Sequence, residues 1–158
     1  MGGGRTSAAE VHGLGALMLD PETKCYRYLS EIIPEHVMAT FQHRENAVVV
    51  TETAAVLVAL QVLANHLRGR DVLLFVDSES VEAAIVKGAS SADDLSGLID
   101  AIWRTAVKDE VHVYVDRVPT DANPSDGPSR GFTEEVERRG AVFKRGGWAV
   151  RGLGRHGL

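Results

Sequence analysis

The chain has 158 residues, 44% of them hydrophobic and 25% charged, which is the length of one domain with a sizeable core and too little for two. Its formal net charge of −5 supplies no overall attraction to a polyanion, so a nucleic-acid contact would need a local basic patch or bound cations. The most apolar run, residues 54–64, falls well short of the roughly 20 residues of a membrane span, so no membrane partner is expected.

Residues 1–12 open with a glycine run and lack the apolar segment of a secretory signal, and are expected to be flexible. Residues 13–19 read as a strand that ends in the turn candidate Asp20-Pro21-Glu22-Thr23, with proline at its second position. Residues 24–30 alternate, with Tyr26 and Tyr28 two apart, and predict an antiparallel partner. Cys25, the sole cysteine, cannot form an intramolecular disulfide and has no Cys or His at zinc-ligand spacing. That disfavours zinc and points to a reducing intracellular setting, cytoplasmic or nuclear.

After a connection from Pro34 to Asn46, Thr51 is suited to cap a helix with Glu52 in its first turn. The apolar residues that follow carry that helix to Gly69. Residues 71–76 hold the continuous apolar run Val72-Leu73-Leu74-Phe75-Val76, as in a central strand, and lead to Asp77. Ser78 and Ser80 are cap candidates for a short helix, with Glu79 and Glu82 in its first turn and Gly88 as its stop. Leu95, Leu98, Ile99, Ile102 and Trp103 fall at helical spacing within residues 92–108.

Residues 111–115 are a further strand, and residues 119–131 are turn-forming by composition. A helix over residues 133–139 and strand segments at 141–143 and 148–150 complete a domain spanning residues 13–150, followed by a flexible tail at 151–158. The order predicts an α/β fold with a mixed sheet flanked by helices.

The passage from Val72 through Asp77 to Gly88 resembles the second-carboxylate strand and following helix of the ribonuclease H-like domains attached to retroelement reverse transcriptases. Residues 117–131, with Asn123-Pro124-Ser125-Asp126, resemble the terminal loop of that family. Gly13-Leu14-Gly15-Ala16 is similar to its second strand, Thr51-Glu52 with the Ala/Leu-rich helix to its first helix, and Trp103 to a helix aromatic. The likeness covers residues 13–131.

The resemblance implies a ribonuclease H-like sheet and an endonuclease, a hydrolase that cuts the RNA strand of RNA/DNA hybrids by two-metal catalysis with Mg2+ or Mn2+. Glu52, Asp77 and Asp126 would be its catalytic metal ligands, with Lys87, Arg117, Asn123 and Arg130 on the nucleic acid. A retrotransposon reverse transcriptase domain would be the adjoining partner. The family also places an aspartate on a first strand before the Gly-Leu-Gly-Ala strand, and here no aspartate precedes Asp20. The chain is therefore expected to be a fragment with its first strand truncated and its hydrolysis impaired. Glu10 could stand in only if residues 5–11 formed that strand, which their scarcity of β-branched apolar residues disfavours.

Each of these residues also has an ordinary role. Glu52 suits a helix N-terminus, Asp77 a helix cap, Asp126 a turn, and Lys87, Arg104, Arg117 and Arg130 a solvated face. The alternative to the enzyme is therefore a non-catalytic module of the same fold that binds nucleic acid or protein. A third is a chain whose exposed strand edges aggregate. No nucleotide-cofactor loop occurs: Gly13-Leu14-Gly15 has no helix after it, and no Gly-Lys-Ser/Thr phosphate loop is found.

Overall fold

The turn at Pro21 folds two eight-residue strands into a hairpin, β1 (Gly13–Asp20) and β2 (Cys25–Ile32), with Gly13 opposite Ile32 and Asp20 opposite Cys25. Lys24, at φ +55°, completes the reversal, and Asp20 Oδ1 accepts the Glu22 amide at 3.0 Å, a local bond typical of aspartate in turns. These and the following relations come from a computed structural model that describes residues 11–41 and 47–146.

A four-residue helix, α1 (Glu35–Met38), lies in the connection expected to be irregular. Next comes α2 (Val48–Val62), then a break at Leu63, and α3 (Ala64–Leu67), ended by Gly69 at φ +72°. The expected start at Thr51 is corrected: α2 begins one turn earlier, and the Thr51 hydroxyl donates to the Val48 carbonyl at 3.0 Å instead of capping. Three consecutive valines argue against a helix start on propensity, but Val50 is fully buried, so packing overrides the local preference.

The next strand, β3 (Asp71–Val76), leads into α4 (Glu79–Lys87). Ser78 caps α4 by accepting the Val81 amide at 3.4 Å, and Gly88 at φ +78° ends it. Then follow α5 (Asp93–Lys108) and β4 (His112–Arg117), which pairs with β3 in parallel. Leu57, Ile85, Leu98, Ile99 and Ile102 are buried where α2, α4 and α5 meet, and the Trp103 indole donates to the Ile85 carbonyl at 2.9 Å.

Residues 119–131 hold a 3₁₀ turn (Thr120–Ala122) and a one-turn helix, α6 (Asp126–Ser129). They are followed by α7 (Glu134–Arg138) and β5 (Val142–Phe143), which pairs in parallel with β2. Tyr28 anchors α7 to β2, its hydroxyl donating to Glu137 Oε1 at 2.6 Å. The strand expected at 148–150 and the tail at 151–158 lie outside the described residues.

The fold is mixed α/β, with a small mixed sheet of order β1-β2-β5 flanked by helices and a separate two-stranded ladder, β3-β4. β3 thus departs from the expected central strand. Among the described residues it pairs only with β4 and buries one face, leaving Leu73 70% and Phe75 54% exposed on the other. A continuous apolar run is the signature of a strand covered on both faces, and among the described residues nothing covers the second face or the free edge. No described helix is long and apolar enough to cross a membrane.

Candidate functional site

Two glycines set the position of the loop that carries Asp126. A Cβ on Gly13 would overlap the Ser129 carbonyl oxygen, and one on Gly15 would overlap the Ser129 nitrogen, so α6 rests directly on the outer face of β1. The Ser30 hydroxyl fixes it there by donating to the Pro128 carbonyl at 2.6 Å. Asp126, at the start of α6, thereby joins Glu52 and Asp77 along the wall of one groove of about 1640 Å³, which runs between β1 and β3 over α2.

Glu52 projects from the second turn of α2, and Asp77 follows the last residue of β3. The Glu52 carboxyl lies beside the Asp77 carboxyl, and its Oε2 is buried with no hydrogen-bond partner. Burial, reinforced by the Asp77 carboxyl beside it, pushes Glu52 from 4.5 up to about 8. At neutral pH the Glu52 carboxyl therefore keeps its proton. Asp77 Oδ2 in turn accepts the Asn123 amide at 3.1 Å. The Asn123 Oδ1 accepts both the backbone amide and the hydroxyl of Ser125, at 3.0 and 2.7 Å.

Asp126 is held differently. Its Oδ1 pairs with Arg130 Nε at 3.4 Å, and among the described residues no group of three or more His, Cys, Asp and Glu is arranged to hold a metal ion. Two of the three expected ligands are thus in contact, and the third lines the same groove with a cation of its own. The residues that would hold a hard cation are Asp77 and, once it has lost its proton, Glu52 with its orphaned buried oxygen, with open space beside them for water ligands.

The basic residues singled out in the sequence are dispersed. Arg130 lines the groove beside Asp126, and Asn123 orients Asp77. Arg117, at the end of β4, pairs with Glu79 at 3.3 Å. Lys87 is exposed at the end of α4, and Arg104 pairs with Asp100 along α5; neither lines the groove. Sequence reasoning missed the Arg70–Asp20 ion pair at the opposite end of the groove. Its 3.0 Å contact and the Glu22 amide hold the buried Asp20 carboxyl well below the usual carboxylate range. The signal was present in Asp20 itself, an aspartate at a strand end that had been assigned only to a turn.

Comparison with protein-family models, with curated proteins and with solved structures finds no match to this chain.

Proposed function

We propose that the chain is a ribonuclease H-type domain that binds RNA/DNA hybrid along the groove and whose hydrolysis of the RNA strand is weak in this sequence alone. The observation that carries the reading is the Glu52–Asp77 carboxyl pair with its unpartnered buried oxygen, placed where a strand end and a helix converge. Open α/β sheets gather their ligands at the carboxyl ends of strands, which is where Asp77 stands.

Glu52 and Asp77 would hold Mg2+ or Mn2+, with Asp126 completing the set once Arg130 turned from it to a phosphate. A bound ion there would supply Lewis-acid polarisation of a phosphodiester and a more acidic water nucleophile. The residues themselves have definite tasks. Asn123 holds the Asp77 carboxylate in one orientation, Ser78 fixes the start of α4 beside it, and Glu52 must lose its proton before it can serve as a ligand. That last requirement, together with the lack of a third carboxylate in contact, supports weak turnover. It also favours the second reading, a non-catalytic module that binds nucleic acid on the same surface. A neighbouring reverse transcriptase domain as partner belongs to this proposal as well.

The test is cleavage of a labelled RNA/DNA hybrid in Mg2+ or Mn2+, paired with calorimetric metal titration. Slow cleavage abolished by Asp77→Asn, with binding of one ion, is the expected result. Metal binding unaffected by Asp77→Asn would refute the assignment of the site. Hybrid binding without metal binding or cleavage would establish the second reading.

A further inference from the structure

We propose that Arg27, His66 and Lys144 form a phosphate-binding site on the helix-facing side of β2, where an unpartnered guanidinium and two further basic side chains converge from three separate segments. None of the three lines the groove that holds Glu52 and Asp77, and the inference stands whether or not the domain cleaves nucleic acid.

The register of the sheet brings two of them together. Arg27 alternates with Leu29, which is wholly buried in the core, so both point to the same side of β2. β5 pairs with β2 in parallel, Arg27 opposite Val142 and Tyr28 opposite Phe143, and the Lys144 amide continues the ladder by donating to the Tyr28 carbonyl at 2.9 Å. Paired residues share a face. Val142 and, two residues on, Lys144 therefore lie on the side of Arg27, while Phe143 packs against Tyr28 on the other side with ring centroids 5.4 Å apart. His66 enters from α3, close enough to both that their charges oppose its protonation.

Arg27 is the anchor. Its side chain is half-buried, its Nη1 is sealed from solvent with no hydrogen-bond partner, and among the described residues no carboxylate pairs with it. A guanidinium carries five donors, and a buried donor left open points to a water or an ion that fills the place. A neutral water would satisfy an N–H group but leave the charges of Arg27 and Lys144 uncompensated. Partial burial first, then those two charges, hold the His66 imidazole below its usual pKa.

The carboxylates nearby are already engaged. Asp20 acts on His66 in the opposite sense, but it is bound to Arg70, whose Nη1 also donates to the His66 carbonyl at 3.3 Å. Glu31, on the same face of β2 as Arg27, accepts the Gly146 amide at 2.9 Å. Residues 138–158 contain six lysines and arginines and no aspartate or glutamate, so the sequence around and after Lys144 brings more positive charge and no acidic side chain. A guanidinium fork, an ammonium and an imidazole that gains a proton when an anion arrives are the donors that suit the oxygens of a phosphate group, free or within a nucleic-acid backbone.

The imidazole of His66 is followed by NMR through a pH titration of the full chain in chloride. The titration is repeated at the same ionic strength with inorganic phosphate, or with a short oligothymidylate lacking terminal phosphates, each at about 10 mM in phosphate groups. A bound phosphate reverses the field at His66, so its titration midpoint is expected to rise by about one pH unit. A rise with the oligonucleotide assigns the site to a nucleic-acid backbone, and a rise with inorganic phosphate alone assigns it to a free phosphate or terminal monoester; each supports the site. Arg27→Gln is expected to raise the midpoint in chloride, because a repelling charge is gone, and to abolish the response to phosphate. Lys144→Gln is expected to weaken phosphate binding about tenfold, and it serves as the control if the half-buried Arg27 position does not tolerate replacement. A midpoint unmoved by either ligand, the same rise in Arg27→Gln as in the parent, or undiminished affinity in Lys144→Gln would each overturn the proposal.

Discussion

Replacing Glu52 by glutamine isolates the energetic consequence of burying a carboxyl beside Asp77. The folded chain holds the Glu52 proton up to about 8, whereas the unfolded chain releases it near 4.5. Between those values the native state binds more protons than the unfolded state, so folding stability falls as pH rises. The contribution of Glu52 is complete below 4.5 and lost above 8. At about 1.36 kcal/mol per pH unit the full gap corresponds to about 5 kcal/mol. Glu52 borders a groove open to water, and screening there reduces the expected effect to about 2–3 kcal/mol.

Glu52→Gln keeps the shape and a donor toward Asp77 but cannot ionise. The variant should match the parent near pH 5 and exceed it by about 2–3 kcal/mol near pH 9, in urea unfolding with a chelator present. His66 titrates in the opposite sense, since burial holds its pKa down and its contribution is lost as pH falls. Comparing variant with parent at each pH cancels that effect. Parallel stability curves, or a variant weaker than the parent near pH 9, would refute the buried-proton account. Added Mg2+ should stabilise the parent increasingly through pH 8, as Glu52 loses its proton and becomes a carboxylate ligand, and should leave the variant nearly unchanged, because glutamine supplies no carboxylate.

Gly15→Ala places a methyl group into the backbone of Ser129 and is expected to cost about 2–3 kcal/mol in urea unfolding; a cost under half a kcal/mol would mean that α6 yields freely. Leu57→Ala should cost about 2–5 kcal/mol by the same measurement, since Leu57 is wholly buried in the core and its cavity is enclosed by packed neighbours. Arg70→Gln should be less stable than the parent above pH 4, with the deficit shrinking as acid protonates Asp20, whose lowered pKa makes its contribution fade as pH falls. Circular dichroism across an acid titration checks this, and a deficit independent of pH would assign Arg70 a packing role alone.

Elements governed by local rules were legible in the sequence. The hairpin at Pro21, the Ser78 cap, the Gly88 stop and the α5 stripe ending at Trp103 all follow from turn chemistry, capping and periodicity, and all are found where those signals lie. The start of α2 was not legible, because Val48 and Val49 are poor helix formers in isolation and are held by the burial of Val50 and its neighbours. β3 shows the converse case. Its composition is that of a strand covered on both sides, and the described fold covers one. A run such as Val72-Leu73-Leu74-Phe75-Val76 encodes how much apolar surface it must lose, not which segment removes it.

The site was legible to the extent that it depends on strand ends. Glu52 and Asp77 meet because α2 crosses β1 and the helices that follow β3, a consequence of the element order alone. Asp126 depends instead on two glycines more than a hundred residues earlier and on the Asn123–Asp77 bond, relations that no local pattern records. Its carboxylate is neutralised by Arg130 four residues on, a spacing that reads in sequence as an ordinary helical pair. The same pair governs chemistry: while Arg130 holds Asp126, this end of the groove presents Glu52 and Asp77, and Glu52 keeps its proton. A phosphate that drew Arg130 away would free the third carboxylate and raise the negative potential facing that proton, so anion and cation should bind this groove cooperatively.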